Sequence, residues 1–204
     1  MITIVDYGLG NVRAFENIYR RLGIPIQSAK SANELVTATK LILPGVGAFD
    51  WAVQRLDDSG MREQLNELVL EKKIPVLGVC VGMQIMARAS EEGKKSGLGW
   101  IDAEVKGFDA SCFYQKMPIP HMGWNKVSVC NNCRLFDGID DCKYYFLHSY
   151  YLEPRDAQVT VGLTSYGKDF TSAIAHENIY ATQFHPEKSH QWGIKLLSNF
   201  AGIC

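Results

Sequence analysis

The sequence predicts an α/β fold of three layers, with a mostly parallel central sheet, helices on both of its faces and a strand-rich C-terminal half. Two patterns in the 204-residue chain carry that prediction. Up to about residue 97, short apolar runs alternate with stretches whose apolar residues recur every three or four positions. That is the βαβ rhythm of parallel sheets covered on both sides. Beyond it, strand-like runs dominate. No linker, low-complexity tract or repeat separates the two parts, so residues 1–204 are expected to form one domain.

The first strand is expected over Ile2–Asp6, followed by a helix in which Val12, Phe15, Ile18, Tyr19 and Leu22 share a face. Ser31 and Glu34 have the spacing of a capping box ahead of a short helix, and Lys40–Leu43 returns as a strand. Residues 49–57 and 61–72 carry helical patterns, and Pro75–Val79 is a strand that feeds a helix-period stretch from Met83. After the change of pattern, strands are expected at Ile101–Phe108, Trp124–Val129, Tyr144–Tyr150, Gln158–Thr164 and Ile179–Phe184. Ser189 is placed to N-cap a closing helix, whose stripe of Trp192, Leu196, Leu197 and Phe200 should pack on the sheet.

Chemistry enters at Gly78-Val79-Cys80-Val81-Gly82, between the strand and the helix. A nucleophile at such an elbow is exposed on a sharp turn, with flanking glycines relieving crowding and a helix N-terminus favouring the thiolate. Free cysteine titrates near pH ~8.5, so it also needs a base. His185 is the candidate base, with Glu187 two residues later and on the same side if the segment is extended, the pattern of nucleophile, base and orienter. The plainer reading is a core cysteine and a turn histidine.

The segments DYGLGNV (6–12), LPGVGAF (43–49), GVCVGMQ (78–84), PHMGWN (120–125), HSYY (148–151) and QFHPEKS (183–189) extend the pattern over nearly the whole chain. In these the sequence resembles the class I glutamine amidotransferases, and most closely the glutaminase subunits of imidazole glycerol phosphate synthases. The resemblance implies that Cys80 attacks the side-chain amide of L-glutamine, His185 moves the protons and Glu187 holds the imidazole. It places the oxyanion donors at the backbone of Val81 and in the glycine-rich turn at Val46 and Gly47. Gly47, Gln84, Glu92 and the segment His148-Ser149-Tyr150 are then expected to hold glutamine, with Glu92 facing its ammonium. Taken as plain sequence, Glu92 beside Glu91 also fits a solvated surface, and 148–150 a half-buried strand.

Free ammonia is protonated in neutral water and lost as a nucleophile, so the resemblance also implies a partner that receives it under shelter, a (β/α)8 cyclase subunit of histidine biosynthesis. Asn11, His121, Met122, Gly123, Trp124 and Asn125 are the expected interface residues, with Trp124 as an aromatic anchor or, in the plainer reading, a core residue. Two other readings stay open: a paralogue feeding a sugar amidotransferase in surface-polysaccharide synthesis, and a non-catalytic regulatory subunit. Gly8-Leu9-Gly10-Asn11 fails as a dinucleotide fingerprint because Arg13 stands where a third small residue is needed.

A net charge of −1 and a pI near 6.5 offer no basic field for nucleic acid or an anionic membrane. No apolar run is long enough to span a bilayer and the N-terminus reads as a strand, so a cytoplasmic protein is expected. The six cysteines are then expected to be reduced. Cys130, Cys133, Cys142 and His148 have a loosely metal-like order but lack paired zinc knuckles, so neither a metal nor a cofactor is expected.

Overall fold

The computed structural model describes residues 1–203, with nothing described for the side chain of Cys112. The side chain of Cys112 and residue Cys204 therefore lie outside what the structure describes.

Four short strands build the N-terminal half: β1 (Ile2–Val5), β2 (Ile26–Ala29), β3 (Lys40–Gly45) and β4 (Val76–Cys80). Helices α1 (Val12–Arg21), α2 (Ala32–Leu35), α3 (Phe49–Asp58) and α4 (Arg62–Asn66) connect them. All residues of β1 and β4, and all but the first of β3, are buried. Because neighbouring side chains in a strand point to opposite faces, both faces of this sheet are covered. That is why these strands read as continuous apolar runs and not as alternating ones.

After β4 come a four-residue helix α5 (Val81–Gln84) and the strands β5 (Ala89–Ser90), β6 (Ala103–Gly107), β7 (His121–Lys126), β8 (Ser128–Val129) and β9 (Lys143–His148). Strands β10 (Tyr150–Pro154), β11 (Thr160–Tyr166), β12 (Lys168–His176) and β13 (Ile179–Thr182) follow, and helix α6 (His190–Ala201) closes the chain. The central sheet has the order β2-β1-β3-β4-β13-β12-β11-β8. Its first five strands are parallel, and the last three pairs are antiparallel. The two patterns of the sequence are thus two parts of one sheet. Strand β13 lies directly beside β4, which brings residues after 182 next to Cys80.

Several elements differ from expectation. Strands β2 and β12 were not anticipated, because Ile26-Gln27-Ser28-Ala29 is half polar and β12 gains its burial from small residues such as Ser172 and Ala173. The helix expected over 61–72 passes into a π-helical turn at Glu67–Glu71. Glu34 accepts the Ser31 hydroxyl at 2.9 Å and the Lys30 N–H at 3.0 Å, so Ser31 and Glu34 meet without Ser31 capping the helix. Ser189 sits at the N-cap position of α6 but spends its hydroxyl elsewhere.

Candidate active site

Cys80 stands at the end of β4 with φ 56° and ψ −114°, in the left-handed half of the backbone map that side chains avoid. Backbone contact with β3 sets this turn. A Cβ on Gly82 would lie 1.9 Å from the Leu43 carbonyl oxygen, and one on Gly45 would lie 2.3 Å from the Gly82 nitrogen. Both positions need glycine because the elbow and the end of β3 touch through their main chains. The helix that follows is only four residues long and starts at Val81, not Met83, so its dipole offers Cys80 little. Support for a thiolate has to come from side chains.

His185 supplies it. The turn after β13 brings its side chain under the influence of Cys80, which helps to hold the imidazole protonated, while its Nδ1 lies 2.9 Å from Glu187 Oε1. Cys80, His185 and Glu187 therefore form one line, nearly buried throughout. The contact does not come from an extended segment: Pro186–Lys188 is a 3-10 turn, and the turn folds Glu187 back onto the imidazole. Among the described residues Glu187 Oε2 has no hydrogen-bond partner, which leaves His185 as the group that compensates its charge. Burial works against a charged imidazole, but Cys80 and Glu187 outweigh it and hold His185 up at about 10. At neutral pH it is a proton donor in place beside the sulfur.

The main chain of His185 is fixed as firmly. Its N–H donates to the Tyr145 carbonyl at 2.9 Å, and the Ser189 hydroxyl donates to the His185 carbonyl at 2.6 Å while accepting the Tyr145 N–H at 3.0 Å. Ser189, expected as a helix cap, is thus a clamp between β9 and the His185 turn. The sequence held one signal for this, its place within QFHPEKS.

A cavity of about 230 Å³ opens over the sulfur. Cys80, Val81 and Gly47 form one side of it, and Gln84, Glu92 and His148–Tyr150 another. As the first residue of α5, Val81 has an N–H with no intrahelical acceptor. Gly47 has φ 87°, while Val46 is part-exposed beside it and outside the lining. Glu92 and its neighbour Glu91 separate clearly. Glu92 Oε2 accepts the Phe49 N–H at 2.8 Å and so is held at the cavity by the first turn of α3, whereas Glu91 accepts from Gly107 and pairs with Lys106 away from it. Gln84 lines the cavity, but its Nε2 is already committed to the Tyr150 carbonyl and to Gln183, leaving Oε1 to face a ligand.

Residues 3–203 match the family model for glutamine amidotransferase class-I. The chain belongs to the class I glutamine amidotransferases. It is 50% identical over its whole length to the imidazole glycerol phosphate synthase subunit HisH of Bdellovibrio bacteriovorus, and 48% identical to that of Leptospira interrogans, each match covering 100% of both proteins. It therefore also belongs to the HisH family. Among solved structures it is similar in fold to a glutamine amidotransferase with a TM-score of 0.76 at 17% identity, covering 99% of each chain. The glutaminase domain of Trypanosoma brucei CTPS superposes with a TM-score of 0.66 at 16% identity, over 100% of this chain and 94% of that one.

The residues expected at an amidotransferase partner interface divide by strand alternation. Along the β7–β9 ribbon, Met122 (65% exposed), Trp124 (46%) and Leu147 (40%) point outward, and Met122 stands opposite Leu147. Trp124 stacks on His190 at 5.2 Å, so it is a surface residue and not a core one. His121 and Asn125 point inward. His121 is buried between Phe146 and Tyr166, which takes it out of any contact surface, while Asn125, on the same side of the strand, is part-exposed and donates to the Ser165 carbonyl. Side chains in a strand alternate, so residues 121–125 do not present one common face. Asn11 is exposed ahead of α1.

Among the described residues no group of His, Cys, Asp or Glu is placed to hold a metal ion, and no helix is long and apolar enough to cross a membrane. Cys130 and Cys142 donate to the carbonyls of Thr160 and Ile139, and both ring nitrogens of His148 are engaged by His121 and Tyr150. Burial pushes the thiols of Cys130, Cys133 and Cys142 up, away from reactivity.

His121 and His148 make a prediction about stability. Burial lowers them to about 4 and about 3, so both stay neutral in the fold while an unfolded histidine takes up a proton near pH ~6.5. The stabilisation from keeping them neutral is complete above that pH and is lost as the pH falls toward the folded values, at a limiting slope of roughly 1.4 kcal/mol per pH unit for each group. His185, shifted the other way, loses its contribution only as the pH rises above ~6.5, so it does not offset this window. The urea midpoint is expected to fall between pH 7 and 4.5, and to fall less in His121→Phe. Equal losses in the two proteins would refute the assignment.

Proposed function

We propose that the chain hydrolyses L-glutamine at Cys80 and hands the ammonia to a (β/α)8 cyclase subunit that completes imidazole glycerol phosphate. The observation that carries this reading is the line Cys80–His185–Glu187, whose sulfur opens into a cavity that an acidic residue, Glu92, also lines.

The Cys80 thiolate attacks the side-chain amide carbon, and a C–S bond forms as the carbonyl becomes an oxyanion. The Val81 N–H and the turn at Val46-Gly47 receive that charge. As the C–N bond breaks, His185 transfers its proton to the departing nitrogen and ammonia leaves. Water, deprotonated by the now neutral His185, attacks the thioester, and glutamate is released with the thiolate restored. Glu187 keeps the imidazole oriented through both steps. Glu92 takes the glutamine ammonium, with the Gln84 Oε1 and the main chain of 148–150 completing the amino-acid site.

The apolar face of Met122, Trp124 and Leu147 adjoins the cavity, of which Leu147 is itself a wall, and it suits a docked subunit that shelters ammonia from protonation. The names of the full-length relatives favour the histidine-pathway acceptor over a sugar amidotransferase. The test is glutamate release by the chain alone, with the cyclase subunit, and with cyclase plus the nucleotide acceptor. Release is expected to rise at each step. No release under any of the three conditions from folded proteins would favour a non-catalytic subunit, and a response only to a sugar substrate system would favour the other acceptor.

A further inference from the structure

Gln183 precedes His185 by two residues, is fully buried, and is used by none of the steps above. Its Nε2 lies 3.7 Å from Cys80 Sγ and its Oε1 lies 3.0 Å from Gln84 Nε2. Which end of an amide faces the sulfur decides whether it donates to a thiolate or repels it, and the surrounding bonds settle the matter. The Tyr150 carbonyl, 3.0 Å from the Gln84 amide, can only accept, so the Gln84 atom beside it is the nitrogen. The Gln183 atom facing that nitrogen is then the oxygen, and its N–H points at Cys80.

The same logic continues outward. The Tyr150 carbonyl also accepts from His148 Nδ1 at 2.8 Å, which makes His148 Nε2 the acceptor for His121 Nδ1 at 3.0 Å. His121 Nε2 in turn accepts from Asn125 Nδ2 at 3.2 Å, an amide whose nitrogen is fixed by the Ser165 carbonyl at 3.0 Å and whose oxygen accepts the Lys126 N–H at 2.8 Å. Every polarity is set by a main-chain group at Ser165, Lys126 or Tyr150. Because burial keeps both histidines neutral, each ring has one donor and one acceptor, and the direction does not reverse near neutral pH.

We propose that Gln183 is a further catalytic residue: its amide N–H stabilises the Cys80 thiolate, held in that orientation by Gln84 and the Tyr150 carbonyl. The inference rests on Cys80 being the nucleophile. Two other titratable groups act on the sulfur. His185 is raised in part by Cys80 and stays a proton donor beside it, and Tyr7, whose hydroxyl is raised first by burial and then by Cys80, remains neutral.

The test reads the thiol directly and does not need glutaminase activity. Cys80 in the full chain is alkylated with iodoacetamide across pH 5–10 and the modified peptide is quantified by mass spectrometry. Gln183→Met keeps the length and removes the donor, so the midpoint of the Cys80 curve is expected to rise by about one pH unit and alkylation at pH 7 to slow by up to ~10-fold. Gln183→Glu sets a carboxylate beside the sulfur and should shift it further. A midpoint for folded Gln183→Met within about 0.2 unit of the wild type would overturn the proposal. Should that variant not fold, Gln84→Met, which frees the Gln183 amide to turn, is expected to raise the midpoint in the same sense, and an unchanged curve there would overturn it equally. Alkylation at another cysteine in place of Cys80 would instead sink the assignment of the nucleophile.

Discussion

Cys80→Ala is expected to lower glutamate release by at least ~10³-fold while leaving association with the cyclase subunit unchanged. The size of the first effect follows from chemistry. Without the sulfur there is no thioester, and His185 has no nucleophile to pair with. The second follows from geometry, since Cys80 is buried at the cavity floor and the outward side chains of Met122, Trp124 and Leu147 belong to the β7–β9 ribbon. Alanine shares the backbone preferences of cysteine, so the elbow keeps its shape. Glutamate assays and titration calorimetry with the partner separate the two claims. A variant that loses binding along with activity would show that the elbow and the docking face are one unit.

The second large effect is expected from Gly82→Ala. Its Cβ would stand 1.9 Å from the Leu43 oxygen and 3.1 Å from the Pro44 carbonyl carbon, so two main chains have to part where β3 meets the elbow. Main chain does not swing aside as a flexible side chain does, and a loss of roughly 3 kcal/mol or more is expected, with activity down by ~10²-fold because the Val46-Gly47 turn hangs on the same strand. Gly23→Ala is the control. Unlike Gly82, Gly23 has a positive φ, 68°, and a Cβ there meets nothing within 4 Å, so only the backbone strain of about 1 kcal/mol applies. Urea unfolding of both variants checks this, and equal stabilities would contradict the steric argument.

What could be read from the sequence was what is local. GVCVG announces its elbow because the glycines and the nucleophile are consecutive, and His185 with Glu187 could be paired because two residues separate them. Apart from the half-polar β2, the parallel half was legible from its mainly apolar strands. What failed depended on partners far away in the chain. Strand β12 has too few large apolar residues to announce itself, and its neighbours β11 and β13 make it a strand. Ser189 fits every local rule for a cap, yet the nearby Tyr145 N–H and His185 carbonyl take its hydroxyl. His121 is a different case, since the alternation of β7 that turns it inward is itself local. Gln183 was invisible as a donor, because its orientation is decided by Gln84 and Tyr150 in other elements.

The φ of 56° at Cys80 bears on how this protein would respond to selection. A side chain held in that region costs on the order of 1–3 kcal/mol, and glycine would relieve it. Any search that ranks variants by heat tolerance alone will therefore be drawn to position 80 and will reward the loss of the one atom on which turnover depends. Thermal robustness and reactivity are set against each other at this residue, and gains in the first are better sought in the surface turns remote from it.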